Sequence, residues 1–209
     1  NLIEVDTKFI DLEKSINCGN NTIREYDKKI PKDLTAEEIL IRSGNIGSVR
    51  IGQKIGVEKF KDFLTKINVI NKIEFDIDEI GIPISFKWGK CKLATTSFGH
   101  GITTTPLQLA KGYAIVTNGG FDVNPTIIKE KSEKLIKYKK RIIRENVSKK
   151  INPILRKIVT TKEGTANLAD VKGYEIGGKT GTAEKIVSGK YSNQKKINTF
   201  ASVFPISHP

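Results

Sequence analysis

The stretch Gly177-Gly178-Lys179-Thr180-Gly181-Thr182 is the most informative part of this 209-residue chain. Two unrelated kinds of site use such a string. Residues 173–180 fit the phosphate-loop pattern G-x-x-x-x-G-K-[ST], in which backbone N–H groups and the start of a following helix bind phosphates. Alternatively, Lys-Thr-Gly is a substrate-binding strand of acyl-transferring serine enzymes. The surrounding sequence has to distinguish the two hypotheses.

The residues on either side of Lys179 disfavour a phosphate loop. Such a loop needs a helix directly after its Lys-Thr pair. Only residues 182–188 separate Gly181 from Gly189, which is too short for a useful amphipathic helix. No apolar strand ending in Asp follows to hold magnesium. We therefore predict a strand over Tyr174–Ile186.

The partner of this strand is predicted over Lys196–Ile206, with a hairpin turn near Ser188-Gly189-Lys190. Strands late in the chain and helices before them favour a sheet covered by helices over a series of βαβ units. The predicted fold class is therefore α+β, an antiparallel sheet flanked by helices.

On a strand, the side chains of Lys179–Thr182 alternate between two faces. Thr180 and Thr182 then point the same way and can both offer hydroxyls to a bound carboxylate. Gly181 leaves the backbone bare for a peptide-like ligand, and Lys179 adds a positive charge. The N–H of Thr182 could donate into an oxyanion hole. The plain alternative is a glycine-rich strand with a solvent-facing lysine.

Helices are predicted from capping boxes, proline starts and the spacing of apolar residues. They are placed at Thr35–Arg42, at Ile46–Ile55, over residues 57–67, from Thr105-Pro106 to Gly119 with Leu109, Tyr113 and Val116 buried, and from Asn152-Pro153 onward. The segment Asn1–Asn20 is predicted to be irregular and Ile70–Lys92 to be extended. Leu93–Gly101 is a small-residue stretch that allows close backbone approach.

Charge and composition exclude several function classes. The net charge is +13, but 30 lysines outnumber 6 arginines, and the densest basic run, Lys129–Lys150, alternates with glutamates. That pattern is typical of a solvated surface excursion, so nucleic-acid binding is not predicted. No apolar stretch is long enough to span a membrane, and no signal-peptide pattern begins the chain.

Cysteine and histidine are scarce. Cys18 and Cys91 are too few and too far apart for a metal knuckle; they could pair in an oxidising compartment, although sequence cannot place them within bridging distance. His100 and His208 alone make a catalytic zinc site or a Ser-His-Asp triad improbable. We predict neither a metal nor a cofactor.

Four blocks of sequence resemble class B penicillin-binding proteins, most closely the septal, cell-division branch. They are Glu37–Gly47, Leu93–Ala110, Gly178–Lys185 and Phe200–Pro205, in the family's order and spanning the chain from about Leu2 to His208. The resemblance implies the transpeptidase fold shared with serine β-lactamases. It also implies a D,D-transpeptidase that cross-links peptidoglycan stem peptides ending in D-Ala-D-Ala through an acyl-enzyme, and that binds β-lactams.

The resemblance also assigns roles to individual residues. Ser43, in the Ser-x-Asn triplet Ser43-Gly44-Asn45, would relay a proton between nucleophile and leaving group, and Asn45 would hold the substrate's amide. Lys179 would bias Ser43 and orient the terminal carboxylate, which Thr180 and Thr182 would bind, and Gly181 would complete the substrate-binding strand. Localisation at the periplasmic face of the bacterial inner membrane, and divisome membrane proteins as partners, are implied in the same way.

One departure from the family pattern is serious, because no Ser-x-x-Lys nucleophile precedes Ser43. Ser192-Asn193-Gln194-Lys195 has the right letters but is expected in a polar connector, so we do not predict it to be the nucleophile. We expect residues 1–209 to be a partial transpeptidase domain, truncated at both ends and inactive alone. The alternatives are a non-catalytic pseudoenzyme or ligand-binding domain and, more remotely, a phosphate-loop nucleotide-binding protein.

Overall fold

A computed structural model describes residues 2–129, 140–187 and 190–209. Its helices are α1 Ala36–Arg42, α2 Asn45–Ile55, α3 Val57–Lys66, α4 Lys90–Ser97, α5 Pro106–Thr117 and α6 Glu145–Thr160, with a short 3-10 turn at Asn167–Ala169. The strands are β1 Lys8–Phe9, β2 Ser15–Cys18, β3 Asn21–Arg24, β4 Leu34–Thr35, β5 Gly177–Val187 and β6 Lys190–Val203. They form three antiparallel pairs: β1 with β4, β2 with β3, and β5 with β6.

The starts of α1 and α5 follow the predicted capping chemistry. The Thr35 hydroxyl accepts the N–H of Glu38 at 3.2 Å, and the Glu38 carboxylate accepts the N–H of Thr35 at 2.8 Å. Those hydrogen bonds keep the pKa of Glu38 below its ordinary value. Thr105 and Gln108 form the same box before Pro106. The starts of α2 and α3 also lie within a residue of their predicted positions.

The prediction that a helix opens at Asn152-Pro153 is wrong. The helix α6 begins at Glu145 and contains Pro153 in its interior. One face of α6 is apolar, so tertiary packing supports a helix through a charged stretch; its buried residues are Ser148, Ile154, Leu155, Ile158 and Val159. The prediction of a surface excursion over Lys129–Lys150 is therefore also wrong for its last six residues, which belong to α6. Residues 130–139 lie outside the described part of the chain.

Two stretches for which no helix or strand is predicted contain regular structure. Asn1–Asn20 includes β1 and β2, which are ordered by pairing with later strands. Most of Leu93–Gly101 belongs to α4, which packs closely on α2: a Cβ added at Gly52 would lie 1.9 Å from the Ser97 hydroxyl. Helix α4 also takes the last three residues of the predicted extended stretch, since it starts at Lys90.

The buried face of α5 is not the predicted one. Leu109, Tyr113 and Val116 are only half-buried. The fully buried residues of α5 include Gln108 and Lys111, which an apolar pattern cannot identify. Their polar atoms have internal partners, which makes burial possible: Lys111 Nζ lies 2.9 Å from Asn124 Oδ1 and 3.2 Å from Asp122 Oδ1.

The predicted late hairpin is confirmed with shifted limits. β5 starts at Gly177 rather than Tyr174, and β6 runs from Lys190 to Val203 rather than over Lys196–Ile206. Lys179 pairs with Ala201 across the hairpin, and Thr180 with Phe200. Of the predicted turn, Ser188 and Gly189 lie outside the described residues.

Among the described residues the core forms three clusters, two of which lie on opposite sides of α1. Ile41 of α1 packs in one cluster with Ile158 and Val159 of α6, and the same cluster includes Ile206, which follows β6. On the opposite side of α1, Ile39 packs in a second cluster with Ile46 of α2 and residues of the β2–β3 hairpin. A third cluster joins the end of α3 to α5. Helix α1 is therefore held between two cores, and its C-terminal end faces β5.

A disulfide joins Cys18 of β2 to Cys91 of α4, with the Cα atoms 5.4 Å apart. The pairing left open by the sequence is thus present in the structure. It ties the β2–β3 hairpin to the helix that packs on α2. Within the described ranges, no helix combines the length and apolar character needed to cross a bilayer.

Reducing this disulfide should destabilise the protein. Because the two cysteines are 73 residues apart, the chain-entropy model predicts that the free energy of unfolding falls by about 4 kcal/mol. Urea unfolding with and without dithiothreitol measures the effect, and the double variant Cys18→Ser/Cys91→Ser should unfold identically in both conditions. Non-reducing peptide mapping that finds both thiols free in air-oxidised protein would contradict the pairing.

Candidate active site

The structure brings Lys179 and Ser43 together, although they lie 136 residues apart in the chain. Lys179 Nζ donates a hydrogen bond to Ser43 Oγ at 2.6 Å and a second one to the carbonyl of Thr180 at 3.0 Å. Ser43 comes from the end of α1 and Lys179 from the third position of β5. Two motifs that are separate in the sequence therefore share one site.

Ser43 occupies an unusual backbone position. As the C-cap of α1 it has φ 58° and ψ 37°, the left-handed conformation that few non-glycine residues adopt. Its N–H donates to the carbonyl of Leu40 at 3.2 Å, and the N–H of Gly44 donates to that of Ile39 at 3.0 Å. The next residue, Asn45, already begins α2. The Ser-x-Asn triplet is thus the tight link between two packed helices.

Asn45 is held by residues that the sequence did not identify. Its side-chain Nδ2 donates to the carbonyl of Arg24 at 3.0 Å, and its backbone N–H donates to Glu25 Oε1 at 2.7 Å. Glu25 Oε2 accepts the N–H of Ile46 at 3.1 Å. The hydrogen bond made by Nδ2 fixes the orientation of the amide, and Oδ1 is the amide atom that can accept a hydrogen bond from a ligand.

On β5, Thr180 has an unpredicted partner as well. The hydroxyls of Thr180 and Thr165 lie 2.7 Å apart, and Thr165 comes from the loop after α6. Thr182, two residues along the same face of the strand, is exposed. No local pattern indicates Thr165, because its role depends on where α6 ends relative to β5.

Gly181 makes room within the hairpin. A Cβ at this position would lie 2.6 Å from the hydroxyl of Thr199 on β6. A side chain here would displace the Thr199 hydroxyl, and glycine avoids this contact. The role that the resemblance gives Gly181 in ligand binding stays a prediction.

Burial sets the charge behaviour of Lys179. Desolvation lowers the pKa of its ammonium from 10.5 to about 8. Across the described residues, no carboxylate forms an ion pair with it. At neutral pH most of the Lys179 side chains therefore carry a positive charge that the protein does not neutralise, next to the hydroxyl of Ser43.

The two competing motifs do not fit the structure. The residues after Lys179-Thr180 continue as strand to Val187, so no helix N-terminus is available and the phosphate-loop hypothesis is wrong. Ser192 lies within β6, opposite Lys185, rather than in the predicted connector. Lys185 is six residues from Lys179, which is about 20 Å along an extended strand. Ser192 is thus remote from the Lys179–Ser43 pair.

A Lys-Thr-Gly strand beside a Ser-x-Asn turn, set in an α+β domain, defines the class of penicillin-recognising serine enzymes and their relatives. The model of the penicillin binding protein transpeptidase domain matches residues 2–209. The chain belongs to this family, which confirms the resemblance drawn from the four sequence blocks.

Two relatives illustrate the similarity. The chain is 29% identical over 203 residues to the probable peptidoglycan D,D-transpeptidase FtsI of Caulobacter vibrioides, covering 95% of this chain and 34% of that protein. It is 35% identical over 184 residues to stage V sporulation protein D of Bacillus subtilis, covering 82% of this chain and 28% of that protein. The chain thus spans about a third of the length of these relatives.

Solved structures confirm the predicted fold class. The transpeptidase domain of penicillin-binding protein 3 from Burkholderia pseudomallei superposes with a TM-score of 0.88 at 23% identity, covering 99% of this chain and 62% of that one. Penicillin-binding protein 3 from Mycobacterium tuberculosis gives a TM-score of 0.85 at 23% identity, covering 100% of this chain and 50% of that one.

We expect the ammonium of Lys179 to titrate near pH 8. Since its pKa is 10.5 when exposed, the unfolded chain binds more protons between about pH 8 and 10.5, and Lys179 makes the free energy of unfolding rise with pH in that window. Titration of lysine 13Cε resonances by NMR measures the pKa, and Lys179→Arg assigns the signal by its loss. A Lys179 signal that titrates at 10.5 would contradict the effect of burial.

Proposed function

We propose that the protein containing this chain is a septal-type peptidoglycan D,D-transpeptidase, which forms an acyl-enzyme with stem peptides ending in D-Ala-D-Ala and with β-lactams. The observation that carries the proposal is the 2.6 Å hydrogen bond from Lys179 Nζ to Ser43 Oγ. Lys179 lies on β5, the strand that also presents Thr180 and Thr182. Membership in the transpeptidase family and relatives named as D,D-transpeptidases support it.

The carboxylate end of the substrate would bind at β5. The unpaired ammonium of Lys179 attracts the terminal carboxylate, and its partly buried setting strengthens that attraction relative to water. The hydroxyls of Thr180 and Thr182 would donate hydrogen bonds to the carboxylate oxygens. The hydroxyl of Thr165, 2.7 Å from that of Thr180, would orient the Thr180 donor.

The peptide part of the substrate would lie along β5. In the described portion of the chain β5 pairs only with β6, so its other edge can accept an extended peptide as an added strand. Asn45 Oδ1 would accept the substrate's amide N–H from the opposite side of the cleft. These contacts hold the scissile carbonyl in a defined orientation, which favours attack.

Ser43 would move the proton during acyl transfer. Its hydroxyl receives a hydrogen bond from Lys179 Nζ and can therefore donate its own proton towards the leaving group while it accepts one from the nucleophile's side. The lowered pKa of Lys179 eases the proton redistribution around Ser43 near neutral pH.

The nucleophile itself would come from sequence outside residues 1–209. Ser192-Asn193-Gln194-Lys195 is the only Ser-x-x-Lys in the sequence, and it lies on β6 away from Lys179. We therefore infer that these residues form part of a transpeptidase domain and that the chain alone does not acylate. A non-catalytic ligand-binding domain is the alternative that this same observation supports.

The relatives and the disulfide support the proposed β-lactam binding and location. Penicillin-binding protein 3 of Mycobacterium tuberculosis has been solved with aztreonam and with ampicillin. The Cys18–Cys91 disulfide fits an oxidising compartment such as the periplasm. We propose the periplasmic face of the inner membrane as the location, and divisome membrane proteins as partners.

Fluorescent penicillin tests this function. The full-length protein should become covalently labelled, whereas residues 1–209 alone should not. In the full-length protein, Lys179→Ala and Ser43→Ala should each slow acylation about a hundredfold, because each removes one half of a preorganised pair. Ser192→Ala is the matched control and should label at the wild-type rate.

The outcomes separate the hypotheses. Covalent labelling of residues 1–209 that is lost in Ser192→Ala would place the nucleophile on β6 and overturn the proposed assignment. A full-length protein that binds penicillin reversibly but never becomes labelled would support the non-catalytic alternative.

A further inference from the structure

We infer that Glu25, assisted by its neighbours Arg24 and Tyr26, is the positioning residue that holds the Ser43-Gly44-Asn45 turn in register with Lys179. The inference deepens the proposed function and rests on it, because the proposed function gives Ser43 and Asn45 of this turn their roles in acyl transfer. It assigns a task to a glutamate that belongs to none of the recognised motifs of the sequence.

Glu25 satisfies the N-terminus of α2. The first N–H groups of a helix have no intrahelical acceptor, and Gly44, the N-cap residue of α2, has no side chain to provide one. The two carboxylate oxygens of Glu25 accept the N–H of Asn45 at 2.7 Å and that of Ile46 at 3.1 Å. A negative charge at a helix N-terminus is also favourable to the helix dipole. The side chain of Glu25, 20 residues before Asn45, therefore provides the N-terminal cap that the local sequence of α2 lacks.

The residues beside Glu25 hold the other parts of the turn. The hydroxyl of Tyr26 donates to the carbonyl of Arg42, the last residue of α1, at 2.7 Å. The carbonyl of Arg24 accepts from Asn45 Nδ2 at 3.0 Å. Three consecutive residues thus contact Arg42, directly before Ser43, and Asn45, two residues after it. We call residues 24–26 the turn clamp.

The turn clamp is itself anchored. The N–H of Glu25 donates to the carbonyl of Lys14 at 2.9 Å, which continues the β2–β3 pairing. Ile23, two residues before Glu25, is buried in the same cluster as Ile39 and Ile46. The Cys18–Cys91 disulfide adds a covalent tie between this hairpin and α4. A shift of the Glu25 backbone would therefore require a shift of the whole hairpin.

The Ser43–Lys179 contact requires such support. Ser43 has a left-handed backbone with φ 58°, which is unfavourable for a residue with a Cβ and persists only when its surroundings impose it. Its hydroxyl must also stay 2.6 Å from an ammonium carried by a different part of the fold. Small displacements of an active-site group have large effects on rate. Loss of the turn clamp should therefore lower the acylation rate constant even where the protein stays folded.

The test uses the full-length protein with the variants Glu25→Gln, Glu25→Ala and Tyr26→Phe. The matched control is Glu13→Gln, which also removes a carboxylate that contacts α2. The Glu13 carboxylate lies 3.2 Å from the Arg50 guanidinium, away from the turn. Two properties are measured: residue-resolved hydrogen exchange at the amides of Asn45 and Ile46, and the acylation rate constant with fluorescent penicillin.

The amides of Asn45 and Ile46 should exchange faster in Glu25→Ala than in wild type, and at an intermediate rate in Glu25→Gln, which keeps one acceptor oxygen. The acylation rate constant should fall about tenfold in Glu25→Ala and less in Glu25→Gln, in line with the loss of charge-assisted hydrogen bonds. Tyr26→Phe should slow acylation a few-fold, and because Tyr26 is exposed this variant keeps the fold intact if Glu25→Ala does not. Glu13→Gln should match wild type in both measurements.

Three results would overturn the inference. The first is unchanged exchange at Asn45 and Ile46 in both Glu25 variants. The second is faster exchange with an unchanged acylation rate, which would make Glu25 a structural cap only. The third is an equal loss of acylation in Glu13→Gln, which would assign the effect to α2 as a whole. If wild type itself is not acylated, the proposed function fails, while the exchange measurement still decides whether Glu25 holds the turn.

Discussion

The packing of α6 against both α1 and the β5–β6 hairpin is the constraint on which the rest of the site depends. Ile158 and Val159 are fully buried, and they share a cluster with Ile41 of α1 and with Ile206 beyond β6. Because protein interiors are close-packed, neither α1 nor the hairpin can move on α6 without opening a cavity. This packing sets the distance between the end of α1, where Ser43 lies, and the third residue of β5, which is Lys179.

Lys111 is buried and Lys179 is partly buried, but the two lysines differ in how their charge is compensated. Lys111 has a side chain only 5% exposed, and its ammonium lies beside Asp122 and Asn124, which compensate the charge inside the fold. Lys179 donates only to a hydroxyl and a carbonyl, and burial lowers its pKa to about 8. A partly desolvated cation without a counter-charge destabilises the domain. Such a group favours the proposed binding of an anionic ligand at Lys179.

The departures from prediction have related causes. The start of α6 was misplaced because Pro153 and a lysine-rich stretch look like a boundary, whereas the apolar face that stabilises the helix is evident only against its partners. On α5, Gln108 and Lys111 are buried because acceptors elsewhere in the fold satisfy them, which no local periodicity records. Helix α4 and the early strands were missed because contacts with distant segments order them.

By itself, the sequence determined the family, the α+β class, the strand nature of Lys179–Thr182 and the pairing of that strand with a second one, because these depend on short motifs and on alternation along one segment. It also named Ser43, Asn45 and Lys179 as candidate site residues. Only the tertiary structure decided that Lys179 reaches Ser43, that Thr165 faces Thr180, that Cys18 meets Cys91, and that Glu25 caps the helix after the Ser-x-Asn turn. The two residues of each contact are between 15 and 136 positions apart in the chain. The packing of separate elements creates them, and no pattern within one element contains the information.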